Sequence, residues 1–145
     1  MPLLSRYFIR SSLLCMALGF TIGGLMLAVK GGALDGRLFI WLPVHIVLLV
    51  NGWLIQLSIG VAYWIFPRVQ LGERGRRSWA WAAFGFFEVG LVLVIASGVN
   101  LWIDSLSALF APGVIFQLVG VGLFGFHAWV RIRSAMVRAT ASTPR

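Results

Sequence analysis

Charge is what this sequence has least of. Of its 145 residues only 11% are Asp, Glu, Lys or Arg, while 60% are hydrophobic. A soluble domain of this length could not hide so much apolar surface from water, so lipid must be its solvent. Cysteine is nearly absent as well. The single Cys15 excludes a disulfide framework and a CxxC metal site, and it reads as a small packing residue within a hydrophobic run. Soluble loops are missing too: the breaks at 30–37, 67–78 and 104–107 leave no room for a second domain.

What remains is four hydrophobic runs, at about residues 11–29, 38–66, 79–103 and 108–130. Each reaches about the ~20 residues that a helix needs to cross a bilayer. The expected fold is therefore all-α: one four-helix transmembrane domain over 1–139, with a disordered tail at 140–145. Short connections predict that consecutive spans pack as antiparallel neighbours. The first run is too long for a cleaved signal peptide, and Val29-Lys30-Gly31-Gly32 is a poor cleavage site.

The basic residues set the orientation. Arg6, Arg10, Arg68, Arg74, Arg76, Arg77, Arg131, Arg133, Arg138 and Arg145 fall on one side of the four spans. Lys30 and Arg37 fall on the other, with Asp35 and Asp104. The positive-inside rule makes the arginine-rich side cytoplasmic, which expects both termini inside and a multi-pass protein of the cell's inner (plasma) membrane. The net charge of +8 does not point to nucleic acid, because helix-end arginines are already explained by topology and anionic headgroups.

Few polar side chains fall inside the runs: His45, Asn51 and Gln56 in the second, Glu88 in the third, Gln117 and His127 in the fourth. Buried ionisable groups at membrane depth are costly and face a protein interior or a cavity. At 100° per residue, His45, Gly52, Gln56 and Tyr63 lie within about 20° of one direction. That face offers an imidazole, a bare backbone patch, an amide and a phenol. Neutral imidazole is a heme-iron ligand, and a flat macrocycle needs such clearance. An interhelical hydrogen bond is the plainer reading of the same histidine. His127 lies near the inner boundary, too deep to share an iron with His45, and reads as an interfacial residue. Glu88 and Gln56 share a depth, so a protonated Glu88 bonded to Gln56 or to backbone is the structural reading. A proton-relay or transporter carboxyl is the functional one, although no second carboxylate lies nearby. Gly19 with Gly23, and Gly113, Gly120, Gly122 and Gly125, mark places where helices can approach closely.

The segment from His45 through Asn51-Gly52, Gln56, Gly60 and Tyr63 to Pro67-Arg68 resembles the second helix of the heme–copper oxidase catalytic subunit, in its nitric oxide reductase branch. The strong match covers about 24 residues, from His45 to Arg68. The rest is topological: that subunit is built from arcs of four helices, and this chain is similar to one arc. The resemblance implies heme b (protoheme), with His45 as the metal ligand and Gly52 and Gln56 beside the cofactor, and a role in electron transfer. With two histidines in all, one copy cannot build the family's copper or high-spin heme centre. No catalytic residue and no activity of its own are therefore expected. One arc cannot enclose a heme, so a homo-oligomer is expected, with a trimer favoured over a dimer. The alternatives are a cofactor-free structural or assembly subunit, and a small transporter using Glu88.

Overall fold

A computed structural model describes residues 1–67, 77–98 and 104–141. Every regular element among them is helical. α1 runs over Leu3–Lys30. The second span opens with a 3-10 turn, Gly36–Trp41, then passes through α2 (Leu42–Val47), a π-helical stretch (Leu48–Ile55) and α3 (Gln56–Ile65). α4 covers Arg77–Gly98, and α5 covers Phe110–Ala141 after a 3-10 turn at Asp104–Leu109. Four helical segments are long and apolar enough to cross a membrane: Leu3–Lys30, Gly36–Ile65, Arg77–Gly98 and Leu106–Val137. The chain is thus a four-span, all-α protein of multi-pass membrane type.

Several boundaries differ from the sequence expectation. α1 begins at Leu3 rather than near residue 11, so Arg6 and Arg10 ride on its first turns. Its 28 residues make about 42 Å of helix at 1.5 Å per residue, more than the ~30 Å hydrocarbon thickness. α5 continues to Ala141, so Thr140 is helical rather than the start of a tail. The remainder of that tail, 142–145, most of the arginine-rich loop, 68–76, and the end of the third run, 99–103, lie outside the described residues.

Local chemistry explains the breaks. α1 ends at Gly31, and Gly32 follows with φ +77°, the left-handed region that glycine enters without steric cost. Asp35 then accepts a hydrogen bond from the Arg37 backbone N–H at 2.9 Å, which caps the 3-10 turn. Pro43 sits in the first turn of α2, where its missing N–H has no helical partner to lose.

The spans associate as two antiparallel pairs, α1 with the second span and α4 with α5, joined through both α4 and α5. Small residues bring α4 and α5 into backbone contact. A Cβ on Gly120 would stand 2.8 Å from the Phe87 nitrogen and 2.9 Å from the Ala83 oxygen, and one on Gly113 would stand 2.9 Å from the Val94 nitrogen. Two apolar clusters fill the interior. Leu4, Phe8, Ile59, Tyr63, Ala80 and Phe87 pack at the arginine-rich end, and Cys15, Val44, Leu48 and Leu91 pack further along. Outside, Leu14, Leu27, Ile65, Val92, Leu118 and Trp129 are each more than 60% exposed, whereas Gln56 and Arg131 are buried. Apolar outside and polar inside reverses the rule for water-soluble proteins, as lipid solvation requires.

Candidate functional site

Nearly all polar chemistry inside the spans collects on the second span, and the π-helical stretch decides where it points. In an α-helix, Asn51 and Gln56 would lie about 140° apart at 100° per residue. A π-helix bonds five residues apart, which stacks residues i and i+5 on neighbouring faces. Asn51 and Gln56 therefore both reach the opposite helix pair. Asn51 Nδ2 donates to Gln117 Oε1 on α5 at 2.6 Å, and Gln56 Nε2 donates to Glu88 Oε1 on α4. Gln56 is fully buried and Glu88, at the middle of the 22-residue α4, is half-buried.

The same stretch redirects the single stripe expected for His45, Gly52, Gln56 and Tyr63. His45 faces α1, where its Nδ1 lies 2.8 Å from the Gly19 carbonyl oxygen. A carbonyl only accepts, so Nδ1 carries the hydrogen and Nε2 keeps its lone pair. The ring lies over Gly23, where a Cβ would come within 2.7 Å of Cε1. Gly52 also faces α1 and α4, but its space is occupied: Cys15 Cβ and Sγ would stand 2.8 Å from any Cβ there, and Leu91 3.4 Å away. Gln56 turns to α4 and Tyr63 to α5. The open slot below His45, on which the macrocycle reading relied, is thus filled by Cys15 within a single chain. Within one chain, Gly52, Gln56 and Tyr63 are covered by α1, α4 and α5, and His45 stays half-exposed.

His127 stacks on Tyr63, with ring centroids 5.8 Å apart and planes 28° apart. Tyr63 lies 18 residues along the span from His45, about 27 Å at the α-helical rise, so the two histidines occupy opposite ends. Beside His127, Arg131 is 1% exposed. Its Nε donates to the Pro67 oxygen at 3.0 Å, its Nη1 to the Tyr63 oxygen at 3.1 Å, and its Nη2 to the Phe66 oxygen. These are the carbonyls left without helical partners where α3 ends. One guanidinium therefore caps α3 from α5, with its carbon 5.2 Å from the Tyr63 ring centroid. Ser5 makes a comparable tie from α1, donating to the Gly60 oxygen.

No protein-family model, curated protein or solved structure matches this chain. Its chemistry is therefore read from geometry alone. Among the described residues no three His, Cys, Asp or Glu side chains converge as a metal site. His45 is the one imidazole whose orientation fixes a free ring nitrogen. An apolar hollow of about 310 Å³ lies one turn away, lined by Ile22, Leu25, Met26, Leu38 and Trp41. That is the bottom of the ~300–1,000 Å³ range of small-ligand pockets, too small to enclose a tetrapyrrole.

The roles of Arg131 and Gln117 were missed by sequence reasoning, yet a signal exists. Gln117, Gly120, Phe124, His127 and Arg131 recur at three- and four-residue steps, which defines one face of α5. Reading Arg131 only as a topological charge concealed that stripe. Nothing in the sequence marks the π-helical stretch.

Proposed function

We propose that the chain is a heme b-binding membrane protein, related to one arc of the oxidase catalytic subunit and serving electron transfer without an oxygen-reducing site of its own. His45 Nε2 would hold the heme iron. The observation that supports this reading is the Nδ1–H bond to the Gly19 carbonyl. Ligating histidines characteristically donate their second ring N–H to a backbone carbonyl or carboxylate, which fixes the tautomer and makes the ligating nitrogen more basic. When bound, heme would supply a one-electron redox centre. The chain's own contribution is to orient His45 through Gly19 and to seat the ring on Gly23.

Fit is partial within one copy. Gly52 and Gln56, expected beside the cofactor, are engaged by Cys15 and Glu88, and the neighbouring hollow is too small. A second surface has to enclose the macrocycle, which supports a homo-oligomer, a trimer ahead of a dimer by the arc resemblance. The ten-to-two division of basic residues supports cytoplasmic termini, with His45 in the outer half of the inner (plasma) membrane. Protein purified from a heme-replete host should show a Soret band that His45→Ala abolishes and His127→Ala retains. An unchanged band in His45→Ala would refute the assignment.

A second reading has its own observation. His45, Asn51, Gln56, Glu88, Gln117 and Arg131 all take part in bonds between helices, as in a cofactor-free structural or assembly subunit. Protein with no tetrapyrrole absorbance, isolated from that same host, would select it.

A further inference from the structure

Among the described residues Glu88 has no counter-charge in ion-pair reach. Its bonding partner is the neutral amide of Gln56, and no Lys or Arg among the described residues pairs with it. The titratable and charged groups on the helices around it are few. α1 brings Cys15, a buried neutral thiol, and α3 brings Tyr63. α5 brings His127 and Arg131, which are occupied with Tyr63 and the end of α3. His45, on α2, is held by Gly19. An ionised carboxylate, half-exposed at mid-span with no cation beside it among the described residues, would face hydrocarbon, where a bare charge is strongly disfavoured.

The second observation is on Gln56. Its Oε1 is buried and accepts no hydrogen bond, although the other end of the same amide is bonded to Glu88. A buried acceptor left unpaired is destabilising, because its desolvation is not repaid by a bond. An amide and a carboxylic acid meeting edge to edge form two bonds at once: N–H to the acid carbonyl, and acid O–H to the amide oxygen. In that arrangement a proton on the second Glu88 oxygen would satisfy the orphan acceptor and remove the uncompensated charge together.

We propose that Glu88 is a mid-membrane proton-binding site, with the bound proton donated to Gln56 Oε1 in a two-bond acid–amide clasp between α4 and α3. Binding is simple protonation: the carboxylate takes one proton from water, an O–H bond forms, and no redox partner is involved. This site is independent of the heme reading and stands with or without it.

Infrared spectroscopy of the full chain in lipid at pH 7 tests it. The chain holds only two glutamates, Glu73 and Glu88. Protein labelled with side-chain [¹³C]glutamate should show an isotope-shifted C=O band of a protonated carboxyl, lost in Glu88→Gln and retained in Glu73→Gln. Gln56→Leu removes the N–H donor, so the band should move to higher frequency. Should Glu88→Gln fail to fold, Glu73→Gln alone isolates the Glu88 band. A spectrum with carboxylate bands only, or a protonated band unaffected by Glu88→Gln, overturns the site. A band that does not move in Gln56→Leu overturns the clasp.

Discussion

Gly23 and His45 share one small volume, and the Gly19 carbonyl holds the imidazole in it. A methyl group on Gly23 would stand 2.7 Å from Cε1, so Gly23→Ala must push the ring off its carbonyl partner. Gly24, the next residue, has nothing within 4 Å of an added Cβ. Loss of the group that orients a ligating histidine costs about 10–100-fold in affinity. Heme titration should therefore show Gly23→Ala weakened by that order and Gly24→Ala unchanged. Equal affinity in both variants would mean that the Gly19 bond does not prepare a ligand. The histidine and its span were legible in the sequence. Its partner was not, because a backbone carbonyl carries no residue signature.

At the scale of elements, hydrophobic runs located the four spans, since length and apolarity are nearly sufficient for a membrane helix. The internal geometry of the second span was not legible. A stripe computed at 3.6 residues per turn cannot foresee a change to i→i+5 bonding, and that change carries Asn51 to Gln117. Double-mutant cycles with Asn51→Ala and Gln117→Ala should give a coupling energy of about 0.6–1.7 kcal/mol, the range measured for interhelical bonds in membranes. Additive effects would place the two amides apart. The α4–α5 contact makes a second demand. Gly120 lies against the α4 backbone, whereas Gly122 meets nothing within 4 Å. Overpacking costs about 1–3 kcal/mol where neighbours can yield and more where backbone blocks them. Gly120→Leu should accordingly lower the thermal midpoint in detergent, and Gly122→Leu should leave it in place.

For the whole molecule, side-chain bonds carry much of the join between the two pairs: Asn51–Gln117, Gln56–Glu88 and Arg131 on the end of α3, with Gly98 against Val44 beside them. Lipid offers no hydrophobic drive for association, so such bonds and close packing must supply it. Topology is open to a direct check. Cysteines introduced at Asp35 and Gly72 should label from outside and inside respectively, with Cys15 buried and silent, and outside labelling at position 72 would reverse the depth of His45.

The proposed heme at a half-exposed His45 would need more than one copy to enclose it, and native mass spectrometry of protein from a heme-replete host reads both quantities at once. The predicted species is three chains with added protoheme mass, absent from His45→Ala. A dimer with one heme would replace the trimer by a symmetric pair of His45 ligands, and chains carrying no protoheme mass would contradict the account itself.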